Sequence, residues 1–182
     1  MRLIQSIALA MAFTATGTTA APDAATEIEP GLFEQVFDAG ELVVDSSISI
    51  GDASVAGLAK RKHEQCWDNH LTTRQNQEAY EEDCDNLIFT LQNSPRTQLL
   101  QAGQAVQYST PSQRCKVIIR NQSSCTVKIV VNKWAGDNAK TTLNECISLT
   151  QCSGWGYISN DQKLTYIVEP FQVAPPTYSP TC

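Results

Sequence analysis

The 182-residue sequence has little of what metal and catalytic sites are commonly built from. It contains two histidines, and none of its seven cysteines forms a Cys-x-x-Cys pair. Because structural zinc sites draw on such pairs and on histidine, the sequence argues against a metal centre. It also lacks the Gly-x-Ser-x-Gly turn that presents the nucleophile of many hydrolases. We therefore expect no catalytic residue, no bound metal and no cofactor.

Two polar clusters nevertheless resemble reactive groups. His63 and His70 lie near Glu64 and Asp68. Their spacing matches no common ligand or nuclease pattern, so surface roles are the better interpretation, with Asp68 as a helix cap. Four carboxylates between positions 81 and 85 suggest the acid pair of a glycosidase, but a solvated helix face explains them better. These four are Glu81, Glu82, Asp83 and Asp85.

Apolar runs long enough to cross a bilayer are also absent. The run at residues 3–13 is too short for that purpose. Arg2 gives it a positive start, and Thr18 and Ala20 place small side chains just before Ala21. This order is typical of a cleaved signal peptide, which we predict at residues 1–20. It implies a secreted, extracellular protein.

The next stretch contains no cysteine and ends in a basic pair, Lys60 and Arg61. Such a pair, placed between a cysteine-free segment and the segment that holds every cysteine, indicates processing in the secretory pathway. Residues 21–61 also carry eight acidic residues and only these two basic ones. We therefore predict an acidic pro-segment at 21–61. The rest of the chain is nearly neutral, which argues against a nucleic-acid partner.

Seven cysteines behind a signal peptide predict an oxidising compartment and a disulfide framework. We place a disulfide-rich domain at residues 62–170 and an extended, proline-containing tail at 171–182. A domain of this length holds one hydrophobic core. A monomer is the expected state.

The clearest helical pattern lies at residues 80–92. Its apolar side chains recur at the spacing of one helix face, while acidic side chains occupy the opposite, wet face. The apolar face consists of Tyr80, Cys84, Leu87, Ile88 and Leu91. A turn is expected at 136–138, followed by a second, shorter helix at 141–149 with Cys146 on its inner face.

Alternating β-branched residues predict two strands, at 114–120 and 125–132, joined as a hairpin through 122–124. Two more strands are expected at 155–159 and 163–169, and a short edge strand at 105–109. Cys115 and Cys125 then face inward. Lys116, Arg120 and Lys128 face outward and, with Trp134, form a basic patch that could bind a polyanion or glycan.

The hairpin turn also carries the one N-glycosylation sequon of the sequence, which begins at Asn121. A turn would leave this asparagine accessible, so we predict a glycan there. The predicted elements together form an α+β, two-layer sandwich. An antiparallel sheet of about four strands carries two helices on one face, and disulfides staple the layers together.

Several disulfide pairings remain open. The simplest joins the helix cysteines, Cys84 and Cys146, to Cys115 and Cys125 on the strands in either order. A competing plan pairs Cys66 with one strand cysteine and Cys146 with Cys152. Cys182 is then the odd thiol, or it is tied to Cys66. Each bridge is expected to contribute about 2–4 kcal/mol.

An ordered set of residues resembles a family of small secreted fungal proteins, the WD-like cysteine-rich proteins. The set is more distantly similar to necrosis-inducing-factor-type effectors and to the killer toxins of smut fungi. It comprises Cys66-Trp67-Asp68-Asn69-His70, Cys84-x2-Leu87-Ile88-x2-Leu91, Arg114-Cys115, Cys125 followed by Trp134, Cys146, and Ser153-Gly154. The resemblance implies an α/β sandwich without known catalysis, which in some cases acts at a host–fungus interface.

These observations lead to one expected function and two alternatives. The expected function is that of a secreted, non-enzymatic protein, a fungal effector or toxin-like protein whose target is an extracellular protein, a glycan or a membrane. The first alternative is a small secreted hydrolase or ribonuclease. The second is a structural or adhesion component of the cell wall.

Overall fold

A computed structural model describes residues 24–38, 65–67, 71–159, 161–170 and 181–182. These residues form nine strands and three α-helices, with a π-helical turn at Leu143–Ile147. The strands are β1 Thr26–Glu29, β2 Leu32–Asp38, β3 Gln65–Trp67, β4 Thr97–Leu100, β5 Gln104–Ser109, β6 Cys115–Asn121, β7 Lys128–Val131, β8 Ser153–Tyr157 and β9 Leu164–Pro170. The helices are α1 Arg74–Asn93, α2 Asn132–Thr142 and α3 Ser148–Thr150.

The main sheet is antiparallel and has seven strands in the order β1-β2-β5-β6-β9-β8-β3. The mixed α/β class and the antiparallel sheet are confirmed, whereas the expected number of about four strands is too small. The difference arises mainly at one edge, where β1 and β2 pair onto β5. Both strands lie within the expected pro-segment, so the expected domain at 62–170 omits two strands of the sheet.

The expected hairpin between residues 114–120 and 125–132 is wrong. Strand β6 pairs instead with β5 and β9 and is buried along its whole length at the centre of the sheet. Strand β7 pairs with β4 in a separate two-stranded ribbon. The alternation of side chains along each strand was predicted correctly. This alternation specifies on which face of the sheet a side chain lies, but it does not specify which strand is the neighbour. Strand β5 is likewise central and not at an edge.

The long helix α1 confirms the main helical prediction. Thr73 caps its start by accepting a hydrogen bond from the amide of Asn76 at 3.2 Å. It ends at Ser94, because the residue before Pro95 is driven out of the helical conformation. All five predicted apolar side chains are buried against the sheet. Asp83 is buried with them, so its expected place on the wet face is wrong.

The second helix begins nine residues earlier than expected, and the predicted turn at 136–138 lies inside it. Gly136 of α2 packs directly against the backbone of α1. A Cβ atom at this position would lie 2.7 Å from the backbone nitrogen of Gln92 and 3.0 Å from the carbonyl oxygen of Ile88. Glycine here serves helix–helix packing, although in the sequence it looks like a turn residue.

Three disulfides join these elements: Cys66–Cys146, Cys84–Cys115 and Cys125–Cys182. The bridge from α1 to the first residue of β6 is one of the expected alternatives. The expected Cys125–Cys146 and Cys146–Cys152 pairings are not formed. The free cysteine is Cys152 and not Cys182.

The C-terminal cysteine is bonded because the end of the chain is held by backbone contacts. The amide of Thr181 donates to the carbonyl of Gln122 at 3.0 Å, and the amide of Ser124 donates to the carbonyl of Thr181 at 3.1 Å. These bonds bring Cys182 to Cys125, which is exposed and lies before β7 instead of facing the core.

The core lies between the main sheet and the two long helices. Side chains of α1, such as Leu87 and Leu91, pack there with Val117 and Ile119 of β6 and with Tyr166 of β9. A smaller apolar cluster covers the other face of the sheet. Its buried members are Ala105, Ile118 and Ile167, with Phe37, Trp67 and Trp155 packed against them.

Candidate functional site

The predicted basic patch does not form on the surface, because its two β6 residues are buried. Lys116 is 4% exposed and Arg120 is 2% exposed. Both project from β6 onto the sheet face that was expected to be wet. The Nζ atom of Lys116 lies 3.3 Å from Oε1 of Glu169, which is completely buried on the neighbouring strand β9. The outward reading was wrong because both faces of this strand are covered.

Burial changes the protonation of this pair. Loss of solvent raises the pKa of Glu169 to about 7, although the charges of Lys116 and Arg120 oppose the shift. The same loss of solvent lowers the pKa of the Lys116 ammonium group, against the attraction of Glu169. The pair therefore belongs to the interior and cannot meet a ligand at the surface.

The other two patch residues do reach the surface, at separate places. Lys128 forms an ion pair with Asp161. Asp161 also accepts hydrogen bonds from the Ser159 hydroxyl at 2.6 Å and the Lys163 amide at 3.0 Å, and these contacts hold its pKa below the usual range. Trp134 is more than half exposed in the first turn of α2.

Several predicted positions lie outside the described residues. These are the processing residues Ala20, Lys60 and Arg61, and the cluster His63, Glu64, Asp68 and His70. Within the part of the chain that the structure describes, no three side chains of His, Cys, Asp or Glu are grouped so that they could hold a metal ion.

The sequon asparagine is buried, which contradicts the expected accessible turn. Asn121 ends β6, and its Nδ2 atom donates to the carbonyl oxygens of Leu100, Gln101 and Thr126 at 3.1, 2.9 and 2.7 Å. The side-chain amide thus satisfies three backbone carbonyls next to the ribbon. A glycan on Nδ2 is incompatible with these contacts.

Asp83 is the buried polar residue that the sequence analysis missed. Its carboxylate accepts hydrogen bonds from the hydroxyls of Thr110, at 2.6 Å, and Ser112, and from the amides of Arg114, at 3.0 Å, and Cys115, at 2.8 Å. Its spacing from Tyr80 and Leu87 would have placed it on the inner face. Since its acceptor sites are filled, Asp83 ties α1 to the start of β6 and has a structural role.

An open groove of about 470 Å³ lies between α1 and the residues from Lys140 to Ser148. Its acidic residues are Glu78, Glu81, Glu82 and Asp85 of α1. Two of its charges are neutralised by neighbours, because Lys140 contacts Asp85 at 2.6 Å and Arg74 contacts Glu78 at 2.8 Å. Leu143, Asn144 and Ser148 line the other wall. The wall of this groove is the solvated helix face that the sequence predicted. Asp83 does not belong to it, because its side chain is buried.

The most distinctive surface is the outer face of the β4–β7 ribbon. Leu99 and Ile129 lie directly opposite each other, and each is 59% exposed. Val127, two residues before Ile129, is also more than half exposed. The alternate residues Leu100 and Val130 fill the core. We call Leu99, Val127 and Ile129 the ribbon surface.

Single exposed apolar side chains are common on soluble proteins, but adjacent ones across two strands mark a contact surface. The ribbon adds a second feature. Neither of its strands pairs with a third strand in the described part of the chain. In other proteins, strand edges beside apolar side chains are surfaces to which extended peptides bind.

Comparison with protein-family models, with curated proteins and with solved structures finds no match for this chain. Among the described helices, none is both long and apolar enough to cross a membrane.

Proposed function

We propose that this chain is a secreted, disulfide-stabilised protein without enzymatic activity, which acts outside the cell as a fungal effector or toxin-like protein. The three disulfides carry this proposal, because such bonds persist in oxidising compartments and are rare in the cytosol. They close intervals of 31, 57 and 80 residues and connect helix, strand and chain terminus. The ordered set of residues that resembles secreted fungal proteins supports the same assignment.

The protein acts by contact, and the ribbon surface makes that contact with an extracellular protein. Fully burying a large aliphatic side chain is worth about 1.5–3 kcal/mol. Since Leu99 and Ile129 have 59% of their surface left to bury, a partner gains about 1–2 kcal/mol from each. Losing both weakens binding by roughly 30- to 1,000-fold.

Secretion and the three disulfides are tested on protein recovered from culture fluid. The protein is quenched in acid, and its intact mass and peptide map are measured. We expect three disulfides and one thiol, with residues 1–20 removed. The same map reports whether the chain is cut after Arg61. Retention in the cell, or reduced cysteines in the natural product, would contradict the proposal.

The ribbon surface is tested by a double variant, Leu99→Ser with Ile129→Ser. Purified protein is infiltrated into candidate hosts, and binding to host extracellular protein is measured by cross-linking. We expect the double variant to remain folded and to lose both the response and the cross-link. Leu149→Ser, at another exposed leucine on α3, is the matched control and should behave as wild type. Equal loss in both variants, or in neither, would refute the assignment.

The alternative of a hydrolase or ribonuclease is tested by substituting two residues that could take part in catalysis. His70→Ala and Glu82→Ala should leave unchanged any turnover found in a purified preparation. A large loss of turnover in either variant would instead establish catalysis. Recovery of the protein in the cell-wall fraction would favour the structural alternative.

A further inference from the structure

Cys152, the free cysteine of the described chain, lies beside a disulfide and not in isolation. Gln151 adopts the left-handed conformation, with φ 55° and ψ 31°, and turns the chain back on the preceding helical segment. The amide of Cys152 then donates to the carbonyl oxygen of Cys146 at 3.1 Å, and the amide of Gln151 donates to that of Ile147 at 2.7 Å. The helical segment thus ends in a C-terminal cap with a left-handed residue, as many helices do. The π-helical turn lengthens the hydrogen-bonded loop of this cap.

The backbone bond brings Cys152 close to Cys146. From standard bond lengths, an N–H···O contact of 3.1 Å keeps their Cα atoms less than about 7 Å apart. Disulfides span Cα distances of about 4.4–6.8 Å. Cys146 is already bonded to Cys66, across a Cα distance of 5.4 Å. Cys146 therefore has two cysteines within reach, one in a bond and one free.

The third cysteine is less favourably placed for Cys152. Cys66 lies opposite Gly154 in the β3–β8 pair, two residues beyond Cys152. Cys152 itself precedes β8 and is not part of that ladder. Its backbone contact is with Cys146, which makes the sulfur of Cys146 the target of Cys152.

We propose that Cys152 exchanges with the Cys66–Cys146 disulfide, so that the protein has two covalent forms. The Cys152 thiolate attacks Sγ of Cys146, a Cys146–Cys152 bond forms, and the Cys66–Cys146 bond breaks. Cys66 leaves as a thiolate and takes up the proton that Cys152 lost. One disulfide and one thiol are present before and after the step, so no external oxidant or reductant is required.

The exchange changes which parts of the fold are covalently joined. The original bridge joins residues 80 positions apart and fastens β3 to the helical layer. The new bridge closes only a local loop within the π-turn and the residues after it. Strand β3 is three residues long, lies at the edge of the sheet and, among the described strands, pairs with β8 alone. Without its disulfide, β3 is held by that pairing and by the packing of Trp67.

The first test traps the free thiol in the full chain. Protein is labelled with N-ethylmaleimide, either at once under acid conditions or after incubation at about pH 8, where thiolates form. Peptide mapping then reports the labelled cysteine. We expect label on Cys152 in the first sample, and label on Cys66 with a Cys146–Cys152 cross-linked peptide in the second. Label confined to Cys152 in both samples would overturn the proposal.

The second test uses variants and does not depend on the exchange rate. In Cys66→Ser, Cys152 should capture Cys146 and leave no free thiol, while the other two disulfides stay intact. Two free thiols under the same oxidising conditions would overturn the proposal. Cys152→Ser is the matched control and should keep Cys66–Cys146 without any exchange. If Cys66→Ser fails to fold, the labelling of the wild-type chain decides. Neither test depends on the proposed effector role.

Discussion

Replacing Asp83 with alanine is expected to destabilise the protein strongly. The carboxylate is buried and accepts two hydroxyl and two amide hydrogen bonds at the start of β6. Alanine removes all four acceptor contacts. The hydroxyls of Thr110 and Ser112 can still bond to each other, since their oxygens lie 2.8 Å apart.

The magnitude follows from the donors that alanine leaves without a partner. A hydrogen bond to a charged group contributes about 1.5–3 kcal/mol, and a buried donor left unsatisfied costs about 1–3 kcal/mol. The amides of Arg114 and Cys115 lose their acceptors. Together these terms lower the free energy of unfolding by about 4 kcal/mol, a large part of the 5–15 kcal/mol typical of a domain.

Urea unfolding with the disulfides intact measures this loss. With a slope of about 2 kcal/mol per M, the midpoint should fall by about 2 M while the slope stays unchanged. Asp83→Asn keeps one acceptor oxygen and should lose about half as much. The matched control is Asp85→Ala on the same helix. Its carboxylate is more than half exposed and paired with Lys140, so this change should cost less than about 1 kcal/mol.

A midpoint shift of less than about 0.5 M in Asp83→Ala would show that the four contacts do not stabilise the fold. An equal shift in Asp83→Ala and Asp85→Ala would show that loss of negative charge, and not loss of the buried contacts, lowers the stability.

Three further predictions concern single positions. Glu169→Gln should flatten the pH dependence of stability. Because the folded pKa of Glu169 is raised from 4.5 to about 7, its contribution is most favourable below about pH 4.5 and falls by about 3 kcal/mol as pH rises to 7. Gly136→Ala should lower the unfolding free energy by about 2 kcal/mol, although alanine favours helix, because the new Cβ meets the backbone of α1. The secreted chain should have no N-glycan at Asn121, since its amide is buried and bonded.

Each of these has a simple control. The midpoint of Glu169→Gln is compared with wild type across pH 4–8, and parallel curves would contradict the buried-carboxylate argument. Ala139→Gly, at another buried position of α2, measures the helix-propensity term without the clash. A mass increase that glycosidase treatment removes would show that the asparagine is accessible before it is buried.

Local patterns predicted the elements that depend on a single stretch of chain. The apolar face of α1 was identified because side chains three and four residues apart share one side of a helix. The strands at β6 and β7 were recognised from their β-branched residues, and β8 and β9 were expected on either side of residues 160–161. The inward place of Cys115 followed from the same periodicity, which left its bond to Cys84 as one of two expected orders.

The candidate site was predicted poorly, because exposure depends on what covers each face. Lys116 and Arg120 alternate correctly with Val117 and Ile119, yet alternation does not tell whether the second face of a sheet is wet. The ribbon surface had no signal of its own. Residues 125–132 were expected to pair in a hairpin, and only the separate pairing of β7 with β4 shows that Ile129 lies on the outer face.

The sequence alone located α1 and the strands β5 to β9, indicated which side chains share a face in α1 and β6, and predicted a disulfide-stapled domain. Only the tertiary structure decided which strands are neighbours, that residues before the dibasic pair join the main sheet, and that Cys152 rather than Cys182 stays free. The physical reason is that periodicity records local geometry. Pairing between distant segments depends on how all the surfaces pack at once, and on where contacts such as those of Thr181 hold the chain.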